Sequence, residues 1–152
     1  MQQETKVEDK KIESVVENKY IDIQDFVKVE IMLGTIKSVQ DVEGSDKLYK
    51  LSVDFGEYNE IESEGGLTER EEKFRTVFSG IKNLASVEDL LNKQYPFVTN
   101  LKPRKIMGEY SEAMILAASQ FEDNQDPDIK DKKEILALMS PTNILANGTR
   151  LK

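Results

Sequence analysis

Apolar and polar positions begin to alternate with a period of two near residue 27. Positions 27, 29, 31 and 33 are apolar and their neighbours are mostly polar or small, which predicts a half-buried strand that continues to about Val39. Gly34 lies inside this strand and predicts a bulge or a sharp bend. Small barrels need such a bend, because their first strand serves two sheets. Just before it, Asp22 is predicted to cap one helical turn that ends at Phe26.

Four more strands follow. The second is predicted over residues 49–55, where the alternation is clearest, and three shorter ones are predicted over 75–79, 95–99 and 113–118. The last of these is nearly all apolar and is therefore predicted to be central. Residues 86–89 resemble a capping box and predict a short helix through Leu91. A helix between the third and fourth strands is the order of an OB-fold, a five-stranded Greek-key barrel.

Segments outside these strands divide the chain into three parts. Residues 1–20 are highly charged and predict a flexible N-terminal arm or linker. Residues 21–119 form the predicted barrel, with an acidic insertion at 57–72 that is predicted to be a mobile loop. Residues 120–152 form a predicted C-terminal β extension, in which a polar loop precedes a strand at 135–139. Asn147 and Gly148 then give a strong signal for a two-residue hairpin turn.

Composition narrows the chemistry. The chain has 152 residues and contains no cysteine and no histidine, so disulfides, thiolate metal sites and the usual nucleophile–base pairs are excluded. No metal or cofactor is therefore expected, and an enzyme is disfavoured. No apolar run is long enough for a membrane span, and the charged first residues do not resemble a signal peptide. These features fit a cytoplasmic location.

Two loops carry the candidate binding residues. In an OB-fold the loops joining strands one to two and four to five flank the ligand face; here they are residues 41–47 and 100–112. The second loop concentrates three cations around Pro103, and Lys and Arg neutralise phosphates. Polar side chains there can bind bases or sugars, and a methionine can pack on a base. The candidate residues are Lys47, Asn100, Lys102, Arg104, Lys105, Ser111 and Met114. A solvated basic turn is the alternative interpretation.

The order of four segments resembles that of the tRNA-binding domain family. The segments are IDIQDFVKVEIMLGTI, GSDKLYKLSVDFGE, RTVFSGI and NLKPRKIMGEYSEAMILAAS, and together they cover about residues 21–119. That family includes C-terminal domains of methionyl-tRNA synthetases, free-standing tRNA-binding proteins, synthetase cofactors and CsaA-type chaperones. The NLKPRK string with its downstream methionine and serine is the specific part.

The resemblance implies a non-catalytic tRNA-binding module that supplies docking affinity to an aminoacyl-tRNA synthetase. It points to the methionyl enzyme, whose catalytic subunit or domain would act in cis or in trans, and it carries the seven candidate residues over as tRNA contacts. Residues 120–152 resemble an extension that builds a homodimer in those relatives. Such an interface would bury Ile135, Leu136 and Leu138.

A protein-binding function remains an alternative. The net charge is −8, whereas nucleic-acid binders more often carry a basic face. The family also often has basic residues at the positions of Met32 and Thr35, so their loss would weaken the phosphate contacts. Both features favour a CsaA-like chaperone or an assembly subunit of a synthetase complex.

Overall fold

A computed structural model describes residues 19–123, 127–128 and 130–152. Two short helices and nine strands lie in these described residues, in the order α1 (Ile23–Phe26), β1 (Ile31–Asp41), β2 (Tyr49–Glu62), β3 (Thr68–Ser79), α2 (Val87–Leu90), β4 (Gln94–Val98), β5 (Arg104–Ile106), β6 (Glu109–Ser111), β7 (Met114–Ile115), β8 (Ala117–Phe121) and β9 (Glu134–Leu138). Neither helix is long and apolar enough to cross a membrane. The predicted N-terminal arm lies outside the described residues apart from Lys19 and Tyr20, which are exposed.

The main sheet is antiparallel and has the strand order β3-β2-β1-β4-β7. β1 pairs with β4 over residues 31–35 and with β2 over 35–41, so one strand serves both halves of an OB-like barrel. Helix α2 lies between β3 and β4, and its predicted capping box at Ser86 and Asp89 is confirmed. The predicted central fifth strand is wrong. Residues 113–118 divide between β7 and the start of β8, and β7 occupies a sheet edge because it pairs with β4 alone.

Gly34 has a different role from the predicted one. The register of β1 against β2 shifts between Ile36 and Ser38, so the irregularity lies beyond the glycine. A Cβ on Gly34 would lie 2.5 Å from Cε1 of Phe55 and 2.7 Å from Cγ1 of Val53. The glycine is therefore needed because the Phe55 and Val53 side chains already occupy the space that a side chain at position 34 would fill.

The segment before β1 also departs from its prediction. Val27 and Val29 are exposed and lie outside the strand, which begins at Ile31. Asp22 precedes α1 as expected, but its side chain makes no capping hydrogen bond. Its backbone carbonyl instead accepts from the N–H groups of Asp25 and Phe26. The start of the turn is therefore held by backbone groups, and Lys28 adds an ion pair to Asp25 at 2.7 Å.

The core lies between the two halves of the barrel. Its largest fully buried side chains are Phe97, Ile36, Leu51, Leu90, Val53 and Val77. Along β2 the buried positions are 49, 51, 53 and 55, as the alternation predicts. The Phe55 and Phe97 rings meet edge to face with centroids 5.3 Å apart, a favoured aromatic geometry.

Residues 57–72 form a regular two-stranded ribbon, which we call the acidic arm. β2 and β3 pair continuously from Glu57 opposite Lys73 to Glu62 opposite Thr68. The Ser63 N–H donates to the Leu67 carbonyl at 2.9 Å and closes the turn. The predicted loop is therefore wrong, because residues 57–72 continue strands β2 and β3. The ribbon buries neither face, so it carries no alternation of apolar residues from which strands could be predicted.

The C-terminal extension packs on its own barrel. β8 pairs with β9, which confirms the strand predicted at 135–139, and Leu136 and Leu138 contact the core cluster. The predicted hairpin at Asn147 is wrong: the Thr149 N–H donates to the Ala146 carbonyl, forming an isolated turn. The chain then pairs with the first half of β1, where the Gly148 N–H donates to the Leu33 carbonyl at 2.8 Å.

Candidate nucleic-acid interface

The predicted ligand loop contains a β-hairpin. Arg104 lies opposite Ser111 and Lys105 opposite Tyr110 across β5 and β6. The turn consists of Met107 and Gly108, with φ of 51° and 88°. Two consecutive left-handed residues define a type I′ turn, whose twist matches that of paired strands. The basic residues are thus held on a paired scaffold.

The two faces of this hairpin have different surroundings. The Phe78 N–H donates to the Ser111 hydroxyl at 3.0 Å, and Lys50 donates to the Glu109 carboxylate at 2.7 Å. Ser111 and Glu109 therefore point toward the barrel. Successive side chains of a strand point to opposite faces, so Tyr110 and its partner Lys105 point outward, and both are exposed.

The cations proposed from the sequence are free of carboxylates. Lys47, Lys102, Arg104 and Lys105 are all exposed. Within the described ranges there are five ion pairs, and none involves these four side chains. Glu109 lies on the same hairpin but is paired with Lys50. The hairpin therefore presents positive charge that its own acidic residue does not neutralise.

Two of the polar candidates are already hydrogen-bonded within the protein. The Glu30 N–H donates to Asn100 Oδ1 at 2.8 Å, and Asn100 Nδ2 donates to the Lys28 carbonyl at 2.7 Å. Asn100 thus ties the start of the ligand loop to the segment that enters β1. Ser111 holds β6 against β3. Met114 is half exposed on β7, opposite Val98 at the end of β4.

Arg75 fixes the beginning of the ligand loop, a role that the sequence did not reveal. Its guanidinium donates to both oxygens of Glu57 and, at 2.8 Å, to the carbonyl of Thr99. It also lies over the Phe55 ring, 5.3 Å from the centroid. Hydrogen bonding from Arg75 holds the pKa of Glu57 below its usual range, despite partial burial. The sequence contains one signal of this role: Arg75 lies two residues before the apolar Val77, so both side chains point to the same side of the strand.

The loop between β1 and β2 meets the hairpin tip. A Cβ on Gly44 would lie 3.2 Å from the Met107 methyl group. Between the two elements is a cleft of about 410 Å³ whose lining includes Asp41, Glu43, Glu109 and Lys50. Three carboxylates against one lysine disfavour a phosphate there. The outer face of the hairpin is the better place for a polyanion.

Most of the negative charge lies elsewhere. The acidic arm holds seven glutamates and one arginine, a net charge of −6 out of −8 for the chain. It leaves the sheet at the end of β2, whereas the hairpin tip meets the start of β2 at Lys50. Glu57 lies seven residue steps beyond Lys50 along the strand, which is at most roughly 23 Å at 3.3 Å per residue. That distance exceeds the Debye length of about 8 Å at physiological salt, so the arm only weakly opposes anion binding at the tip.

Comparison with known proteins identifies the family. Residues 31–141 match the family model described as "Putative tRNA binding domain". The chain belongs to this family. Over 132 residues, 87% of the chain, it is 41% identical to a methionine–tRNA ligase of Burkholderia ambifaria, of which it covers only 15%. The resemblance noted from the sequence motifs is confirmed.

Solved structures of two relatives share the fold. A MetRS-related protein from Pyrococcus horikoshii superposes with a TM-score of 0.64 and is 26% identical, over 88% of this chain and 98% of its own. A CsaA chaperone protein from Picrophilus torridus has a TM-score of 0.60 and 25% identity, over 88% of this chain and 100% of its own. This tRNA-binding domain thus spans a small part of the ligases but the whole length of these smaller proteins.

Proposed function

We propose that this chain is a non-catalytic module that docks tRNA around the exposed β5–β6 hairpin, with Lys105 on its outer face and Arg104, which lies opposite Ser111, on the other face. Lys102, Arg104 and Lys105 are the phosphate contacts, and Lys47 adds a fourth cation from the neighbouring loop. The observation that carries the proposal is the exposure of these cations, which have no carboxylate partner in the described residues. Contacts of this kind give affinity with limited base readout.

The other candidates have secondary roles in the proposal. Asn100 and Ser111 are held by backbone groups, so they shape the loop and can reach RNA only through their remaining hydrogen-bonding capacity. Met114 offers an apolar surface at the loop's base. The docking function explains why a rigid loop base matters, because pre-organisation lowers the entropic cost of binding.

The module is proposed to deliver tRNA to a methionyl-tRNA synthetase in the cytoplasm. It would act either in cis, as a domain of the synthetase chain, or in trans, as a separate protein. The identity to methionine–tRNA ligases supports this assignment. The chain cannot itself contain the synthetase HIGH motif, because it has no histidine. Its contribution is affinity for tRNA, and the catalytic subunit or domain supplies aminoacylation.

A homodimer through the extension completes the proposal. Leu136 and Leu138 pack on their own barrel, whereas other apolar side chains of the extension stay exposed. Ile144 is 85% exposed, and Phe121, Ile135, Met139 and Leu145 are also exposed. A two-fold interface that covers them would join two hairpins in one assembly, which raises apparent affinity for RNA without new contacts.

The direct test is the triple variant K102A/R104A/K105A, assayed by gel shift with unfractionated tRNA. With three or four phosphates neutralised, wild-type binding should weaken roughly 20- to 150-fold between 50 and 200 mM salt. The triple variant should bind far more weakly at low salt and lose most of this salt dependence. An unchanged affinity in a folded triple variant would exclude the hairpin as the tRNA site.

A matched control removes three exposed lysines from other elements. The variant K93A/K130A/K132A changes the net charge by the same amount but leaves the hairpin intact. Its affinity and salt dependence should stay close to those of the wild-type protein. Equal losses in both triple variants would mean that only net charge matters, which would also refute the proposed site.

A protein-binding function is the second candidate. A groove of about 440 Å³ beside α1 has a mostly apolar lining that includes Ile23, Phe26, Val29 and Leu151, and the similarity to a CsaA chaperone protein fits a peptide ligand. Binding of an unfolded polypeptide there should depend little on salt. Steep salt dependence with tRNA, together with no binding of unfolded polypeptide, would exclude this candidate.

A further inference from the structure

An exposed tyrosine lies at the centre of the hairpin's outer face. Tyr110 is 57% exposed and stands opposite Lys105 across the two strands. Its neighbours Glu109 and Ser111 are held toward the barrel, so the Tyr110 ring points into solvent. Side chains directly opposite across strands have Cβ atoms about 4.5–5.5 Å apart. A flat aromatic ring and an unpaired ammonium group therefore share one small patch.

The fold gives this ring no structural partner. Tyr110 is outside the core cluster, and its hydroxyl makes no hydrogen bond with any residue that the structure describes. Apolar ring surface exposed to water is unfavourable, and covering it with a ligand would be favourable. A ligand that matches this patch has a planar apolar group for the ring and a negative charge for the ammonium group. A nucleotide has both, in its base and its phosphate.

We propose that Tyr110 is a stacking platform for an unpaired base of RNA, with Lys105 contacting the phosphate of that nucleotide or the next. The inference rests on the proposed docking function and extends it, because phosphate contacts alone do not distinguish paired from unpaired RNA. Stacking tolerates any base, since every base has a π-face. Bases inside a duplex are already stacked, so the platform selects single-stranded segments.

The chain provides a matched control in Tyr58. This tyrosine is 53% exposed and also lies on a two-stranded ribbon, but its cross-strand partner is Glu72 on the acidic arm. The two tyrosines share residue type, exposure and strand context and differ in the charge beside them. Only Tyr110 should respond to RNA.

Affinity is measured for Y110A, Y110F and Y58A with unfractionated tRNA and with a blunt-ended RNA duplex. Y110A should weaken tRNA binding roughly 5- to 150-fold, the range for loss of one stacked base, and should leave duplex binding and the salt slope unchanged. Y110F should restore tRNA affinity and Y58A should not change it. By contrast, K105A should lower the salt slope by about 1.

A fluorescence measurement gives an independent readout. The chain contains no tryptophan, so Y110W introduces a single reporter, whose emission should be quenched by a single-stranded oligonucleotide if a base stacks on it. Y58W should not be quenched.

The binding measurements separate the two proposals. If K102A/R104A/K105A abolishes tRNA binding while Y110A does not reduce it, the platform is refuted and the docking site stands. If the triple variant binds tRNA normally, both the docking proposal and the stacking platform are refuted. An equal loss of duplex binding in Y110A would also overturn the inference.

Discussion

Replacing Arg75 tests how the base of the ligand loop is held. In R75M the side chain keeps its apolar stem over Phe55 but loses its donors to Glu57 and Thr99. The charged hydrogen bond to the Thr99 carbonyl contributes about 1.5–3 kcal/mol, and the cation over the ring adds about 0.5–1 kcal/mol. The partly exposed ion pair adds at most about 1 kcal/mol. Because the three terms overlap, the expected destabilisation is about 2–4 kcal/mol.

Urea unfolding at pH 7 measures this loss of unfolding free energy directly, and thermal unfolding measures the accompanying change in Tm. For a protein of this size each kcal/mol lowers Tm by about 2–4 °C, so R75M should melt about 4–16 °C below wild type. Protein concentration is held fixed, because the proposed dimer would make Tm concentration-dependent. R75K keeps the charge but not the planar fork and should recover only part of the stability. A destabilisation of R75M below about 0.5 kcal/mol would refute the clamp, by which we mean the contacts of Arg75 with Glu57, Thr99 and Phe55.

Acid titration provides a second check on the same clamp. The folded-state pKa of Glu57 lies below its ordinary value because of Arg75. Its stabilisation is therefore fully present above the unfolded-state pKa of about 4.3 and is lost as pH falls through the folded-state value. The gap in unfolding free energy between wild type and R75M should narrow in that acidic window. A gap that stays constant to pH 2 would assign the stabilisation to the Thr99 hydrogen bond and the Phe55 ring contact, without the ion pair.

Two further predictions concern packing and assembly. G34A should lower stability by about 1–3 kcal/mol, because the new methyl group would overlap the Phe55 ring and Val53; an unchanged urea midpoint would mean that the strands separate at little cost. Light scattering should give about twice the monomer mass of 17.3 kDa for wild type and the monomer mass for I144D, and a monomeric wild-type protein would refute the proposed dimer.

Local chemistry in the sequence was sufficient for some elements. The capping box at Ser86 needs only its own backbone and Asp89, so the sequence predicted it correctly. The buried positions of β2 alternate over a long stretch, and one register satisfies them all. The order of strands around the helix then led to the OB-like fold. These features depend on neighbours in the chain or on a strong apolar period.

Features that depend on distant partners were missed. The Met107–Gly108 turn has no asparagine to signal it, so the hairpin was predicted as a loop. The outward direction of Tyr110 becomes evident only once β6 is known to be a strand, and the role of Arg75 needs the positions of Glu57 and Thr99. Asn147 and Gly148 do form a turn, but the segment that follows makes an isolated bridge to β1, between Arg150 and Met32, rather than pairing with the residues before the turn.

That last pairing affects how the domain is synthesised. One side of the opening half of β1 is covered by residues 148–151, with Leu33 hydrogen-bonded to Thr149 and Ile31 to Leu151. A nascent chain cannot complete the hydrogen bonds along that side of β1 until residues 148–151 have been synthesised, since contacts of such long sequence separation form late. Until then, the open edge of β1 is a template for wrong strand pairing, and the first half of β1 stays open to such pairing while the intervening residues are being made.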